Sequence, residues 1–291
     1  MKITAKFYNN IFNIFIFLFF LIGVILSLKV GITHDEFHEL ESWNINKQIY
    51  SNYLLNKNLN TEFPYFEMGF YGIGFHLVSA PIEFLTGLLI SVELGEEFKE
   101  IIIKHPSVFI FFILSGLYFK KIMFLITRDK NYANLCTVVY LLYPYLLGHS
   151  FFNLKDIPFL SVWMLSTFYL IRLFTLYHRN KKISFKHLFI LSTSTAYLFS
   201  IRISGILILI EYLIFFLVFL NIYHYKVSEF LFKNLKYFVF FIIILISIFF
   251  SLHPNYWDNP FMVINSIKYM SQHIQTACTV TLGECMKAQD L

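Results

Sequence analysis

The acidic cluster His34-Asp35-Glu36-Phe37-His38-Glu39 stands directly after the first membrane-length apolar run, 10–28. Carboxylates at a membrane surface suit either ion handling or general-base chemistry on a lipid-linked substrate. A general base works within about 3 Å of the proton it removes, so Asp35 or Glu36 would need a cleft between this segment and the bilayer. The plainer reading of the pair is a solvated acidic loop. His34 and His38 at i and i+4 share one helix face and add a weak divalent-metal option, for which the sequence places no third ligand.

Three further polar clusters interrupt apolar sequence. In His149-Ser150-Phe151-Phe152-Asn153-Leu154-Lys155-Asp156-Ile157-Pro158, a turn of a few residues between long apolar segments carries both charges. Charges at membrane depth cost roughly 2.5–3.5 kcal/mol each on insertion scales. Lys155 and Asp156 therefore need partners, if only each other, and His149 and Asn153 stand beside them. Arg202, in Arg202-Ile203-Ser204-Gly205, either snorkels to the interface or meets an anion such as a phosphate. The third cluster, His253-Pro254-Asn255-Tyr256-Trp257-Asp258-Asn259-Pro260, reads first as an interfacial aromatic belt, with Trp257 as a candidate substrate contact. Glu211, inside an apolar segment, is another costly charge and a candidate partner for Arg202.

The elements that must position these residues follow from composition. The chain is 57% hydrophobic and 14% charged, against about a quarter charged in soluble domains. Its apolar runs reach the roughly 20 residues that cross a bilayer. The expectation is an all-α polytopic membrane protein, one membrane domain over 1–291. Seven segments read as transmembrane helices: 10–29, 106–126, 132–149, 157–177, 187–201, 206–223 and 237–252. Segment 69–94 is apolar but holds Gly69, Gly72, Gly74, Pro81, Glu83 and Gly87. If it crossed the bilayer, every later basic loop would move outside, against the positive-inside bias. It therefore reads as an interfacial or re-entrant element of one long extracytoplasmic loop, 31–105, in which 35–55 forms an amphipathic surface helix.

This parity places the N-terminus in the cytoplasm, the 253–291 tail outside, and all four polar clusters on the outer face. The net charge of +5 is accounted for by short cytoplasmic loops, and nothing resembles a nucleic-acid-binding face. Cys136 lies in an apolar run; Cys278 and Cys285 in the tail either close a hairpin as a disulfide or stay as two thiols.

Carboxylates and cations on one membrane face suit inverting glycosyl transfer from a lipid-phosphate sugar. A carboxylate takes the acceptor hydroxyl proton, the oxygen attacks the anomeric carbon, and the lipid phosphate leaves. Charge grows on that phosphate as the bond breaks, so a Lys or Arg beside it favours the transition state over the ground state.

At these residues the chain resembles the GT-C membrane glycosyltransferases, specifically the dolichyl-phosphate-mannose–protein mannosyltransferase-like family in its bacterial form. Asp35-Glu36 after the first helix resembles the family's acidic motif. His149 through Phe159 is similar to a motif that usually reads Asn-Pro-Lys-Asp, with Leu154 departing from its Pro. Arg202-Ile203-Ser204-Gly205 and His253-Pro254 through Pro260 follow in the family's order.

The resemblance implies a GT-C-like helical bundle, a polyprenyl-phosphate-linked sugar donor and an extracytoplasmic site with Asp35 as base and Glu36 its neighbour. The acceptor is a protein, lipid or glycan, in what the bacterial form of the motif suggests is a bacterial inner membrane. It leaves metal use undecided. Lys155 and Arg202 are candidate phosphate binders by charge, with Asp156, His149, Asn153 and Trp257 as further substrate contacts. Family members continue with more helices past this point, so the chain reads as C-terminally truncated. Competing readings are a transporter or flippase of lipid-linked cargo and an inactive remnant.

Overall fold

Alternating apolar runs and polar turns become a helical bundle in the computed structural model, which describes residues 2–55, 70, 72–89, 96–271, 278–281 and 284–287. The helices are α1 (Lys2–Ser27), α2 (His34–Leu54), α3 (Gly74–Leu89), α4 (Glu96–Ile102), α5 (His105–Thr127), α6 (Lys130–Leu141) and α7 (Pro144–His149). They continue as α8 (Asp156–Asn180), α9 (Phe185–Ile201), α10 (Ile208–Ile222), α11 (Val227–Ser251) and α12 (Met262–Ser271). Short 3-10 turns at Ile203–Leu207 and Pro254–Tyr256 lead into α10 and out of α11.

Among the described residues, five helical stretches are long and apolar enough to cross a membrane: Asn9–Ser27, Phe98–Thr127, Asp156–Asn180, Ile203–Ile222 and Val227–Ser251. Their outer faces stay apolar, as at Ile14, Phe17, Ile25, Leu213, Ile214, Ile242 and Ile243. An unburied apolar surface of this extent is what hydrocarbon solvates, and the chain is a polytopic membrane protein. The other two expected spans are helical but differ in form. Segment 132–149 is broken, because Pro144 holds Tyr143 extended (φ −64°, ψ 117°) and separates α6 from α7. The expected 187–201 span is α9, only 17 residues long.

The core sits where α5, α8, α9 and the end of α11 meet. Val108, Phe109, Phe112, Leu141, Leu198, Ile208 and Tyr256 are fully or almost fully excluded from solvent there. Small hydroxyl residues let α8 and α9 approach, and the Ser166 hydroxyl donates to that of Ser194 at 2.8 Å.

Segment 69–94 contains α3, 16 residues with Pro81 inside, too short for a regular span. Its glycines serve close approach: a Cβ on Gly72 would fall 1.7 Å from the Ser200 carbonyl oxygen, and one on Gly74 1.9 Å from the Ser200 hydroxyl. Segment 35–55 is helical, as expected, but its inward face is not a plain apolar stripe. Glu36, Ser42 and Asn46 are buried beside Leu40, Ile45 and Ile49, whereas Leu54 is exposed.

The chain ends in an antiparallel hairpin, β1 (Cys278–Thr281) with β2 (Glu284–Lys287). Its register pairs Cys278 with Lys287 and Val280 with Cys285. The two cysteines are thus diagonal rather than directly opposite in the ladder, and their side chains, on which the choice between disulfide and thiols turns, lie outside the described residues.

Candidate functional site

At the start of α2, sequence alone dictates a helix N-terminus. Thr33 precedes the first turn and Glu36 follows three residues later, the spacing of a capping box. The Glu36 carboxylate accepts the Thr33 backbone N–H at 2.6 Å and the Thr33 hydroxyl at 2.9 Å. Its other oxygen lies 2.6 Å from His105 Nε2, while His105 Nδ1 donates to the Ser27 carbonyl at 3.0 Å. Since a carbonyl only accepts, Nδ1 is the donor to Ser27 and Nε2 is left to face Glu36. With Glu36 and His105 both buried, this knot ties the end of α1 and the starts of α2 and α5 together. Glu36, expected as the neighbour of the base, is occupied by these contacts.

Asp35, by contrast, is exposed. One helical turn on, Glu39 lies on the same face of α2. Glu39 forms an ion pair with Lys155, and Arg202 forms one with Asp156. Residues 46 positions apart in the chain, Asp156 and Arg202, are thereby brought together, and α2 is joined to the turn before α8. Lys155 is mostly covered, its side chain 22% exposed, whereas Arg202 and Asp156 keep 43% and 54%. The guanidinium therefore still faces solvent with donors to spare.

Asn153 builds the turn that presents Lys155 and Asp156. Its side-chain oxygen Oδ1 accepts the backbone N–H groups of Lys155 at 3.1 Å and Asp156 at 2.7 Å, satisfying donors that the start of α8 leaves open. Its amide donates to Asp156 Oδ2 and to His149 Nδ1, each at 3.1 Å. The His149 ring also packs on Tyr145 and Phe152. His149 and Asn153 thus act as the frame of this turn.

Two expected contacts lie elsewhere. Trp257 donates its indole N–H to the Phe250 carbonyl at 2.6 Å and packs on Tyr50 and Tyr53. Tyr50 is about 22 Å along α2 from Asp35 at 1.5 Å per residue, so Trp257 marks the far end of the same helix. Glu211 accepts the Trp163 indole at 2.6 Å and the Thr167 hydroxyl at 2.7 Å rather than pairing with Arg202.

The metal option rests on His34, whose side chain lies outside the described residues. Among the described residues, no three His, Cys, Asp or Glu side chains gather as a metal set. His38 is exposed on α2.

The structure adds residues that sequence reasoning passed over. Lys104, entirely buried, meets Glu83 at 2.7 Å and fixes α3 to the turn before α5. His76 is buried with Nδ1 lacking a hydrogen-bond partner, and its ring stacks on Trp43 at 5.3 Å. Burial, then the charges of Lys104, Lys155 and Lys47, hold its pKa well below the usual histidine value, so it is neutral near pH 7. The Thr33–Glu36 spacing signals the cap, but no local pattern signals pairs as distant as Glu36 with His105.

In comparisons with known proteins, no family model, no curated protein and no solved structure matches this chain.

Proposed function

We propose that the chain is an inverting glycosyltransferase, or the N-terminal part of one, which uses a polyprenyl-phosphate sugar donor. The observation that carries the reading is the two ion pairs Glu39–Lys155 and Asp156–Arg202 at one end of a membrane-type bundle, with exposed Asp35 one turn before Glu39 on α2. Asp35 removes the acceptor hydroxyl proton as the oxygen attacks the anomeric carbon. The sugar–phosphate bond breaks, and the lipid phosphate departs carrying the electron pair. Arg202, half-exposed, supplies donors to that phosphate, and Lys155, held by Glu39, adds positive charge beside it. Glu36 keeps the first turn of α2 in place so that Asp35 is presented at a fixed height.

In this reading the site faces the extracytoplasmic side of a bacterial inner membrane, which fits the basic turns at the opposite end. The test is a transfer assay with the purified chain in proteoliposomes, defined polyprenyl-phosphate sugars and candidate protein, lipid and glycan acceptors, run with and without chelator. Release of polyprenyl phosphate coupled to acceptor glycosylation supports it. Failure with every donor, by a well-folded chain, sinks it.

Glu211 favours a second reading, a transporter of lipid-linked cargo. It is a carboxylate within an apolar helix, bound by two neutral donors, and such groups often mark ion paths. Movement of lipid-linked sugar across vesicles without transfer, lost in Glu211→Gln, would favour that reading.

A further inference from the structure

We propose that the cavity among α8, α9, α10 and α11 holds one acyl chain of an anionic glycerophospholipid, whose phosphate rests against the basic turns at that end of the bundle. The cavity measures about 430 Å³ and is walled by apolar side chains that include Leu173, Leu191, Leu213, Phe216, Leu231 and Phe241. None of the ion-paired residues of the candidate site lines it. Apolar cavities stay dry even when they are large enough for several waters. Left empty, a void costs stability in proportion to its volume, so an apolar occupant is favoured. Leu209 and Leu213 line it and are 37% and 56% exposed on α10. The wall therefore opens on a face that in a bilayer meets hydrocarbon.

Charge identifies the headgroup. Ile183 and Leu231 line the cavity, and the surrounding segments carry Arg179, Lys181, Lys182, Lys186, Lys233 and Lys236, all exposed. Glu229 is the one carboxylate of 172–240 at this end, and it is already paired with Lys226 at 3.1 Å. Lys181 is held by the Tyr225 hydroxyl at 2.5 Å, so at least one cation of the rim is fixed in place. Lysines gathered at a membrane surface select anionic over zwitterionic lipid. The site is independent of the glycosyl-transfer reading, since it uses no residue of that chemistry.

The test is native mass spectrometry of the full chain released from nanodiscs of equal phosphatidylglycerol and phosphatidylcholine. One phosphatidylglycerol should be retained per chain, about tenfold over phosphatidylcholine. Leu213→Trp, which fills the mouth, should lower that retention about tenfold, with Leu209→Trp as a second obstruction should the first fail to fold. Phe232→Trp, 86% exposed and outside the lining, should change nothing. Lys182→Gln with Lys233→Gln should abolish the preference between the lipids. Equal retention of both lipids by the wild-type chain, detergent alone in the cavity, or undiminished lipid in both Trp variants would each overturn the proposal.

Discussion

Asp35 and Glu36 are adjacent in sequence, yet the fold treats them as opposites. Glu36 is buried against His105 and the start of α2, whereas Asp35 projects into solvent. Glu36→Ala strands a buried histidine and removes a helix cap, so it should cost about 3 kcal/mol of stability. Asp35→Asn should leave the thermal midpoint in detergent unchanged. Equal midpoints for the two variants would contradict the division of roles. His253 offers a pH test. Buried beneath Phe249 and Tyr256, with Nδ1 donating to the Phe249 carbonyl at 2.8 Å, it has a pKa lowered to about 4, chiefly by burial. Between that value and the ordinary 6.5 the unfolded chain binds the proton and the folded chain does not. Its contribution is thus complete above pH 6.5 and is lost as pH falls through about 4, by up to about 3 kcal/mol. Melting curves from pH 7 to 4 should show that loss in the wild type and a shallower one in His253→Gln.

At the scale of elements, α3 depends on contact with α9 at Ser200. Gly72→Ala places a Cβ against the Ser200 backbone carbonyl, which no side-chain movement relieves. Forced overpacking of this kind costs about 1–3 kcal/mol, and a lowered thermal midpoint should report it; an unchanged one would mean that α3 shifts freely. The seven apolar segments were legible as helices because each is a continuous hydrophobic run. The break at Tyr143-Pro144 was not, since 132–149 reads as a single helix although a proline disfavours helix at the residue before it. What stayed hidden was the inward face of α2. Phe37, Leu40, Trp43, Ile45, Ile49 and Leu54 suggested an apolar stripe, but Glu36, Ser42 and Asn46 are also turned inward. Their polar groups find partners on or beyond the helix, such as the Ser42 carbonyl that accepts from Asn46 at 2.9 Å. Partner choice of this kind depends on tertiary placement, as with Lys155, which pairs with Glu39 on α2 rather than with its neighbour Asp156.

Across the whole molecule, one end of the bundle gathers the ion pairs that join α2, the start of α8 and Arg202 after α9, and the other gathers basic turns whose ion pair among the described residues is Lys226–Glu229. Positive-inside sidedness makes a direct prediction from this polarity. In a cysteine-free background, Asn259→Cys should react with an impermeant maleimide on intact cells, and Lys182→Cys should react only after permeabilisation. The reverse pattern would invert the site. If the polar end is the catalytic face, its base in the proposed reading is Asp35, exposed on the first turn of α2. Removing a general base lowers turnover by about 100- to 10,000-fold. The decisive measurement is sugar transfer from a polyprenyl-phosphate donor by the Asp35→Asn chain, reconstituted beside the wild type at equal, folded amounts. A fall of at least about a hundredfold, with donor binding retained, is the predicted result; transfer at the wild-type rate would contradict it.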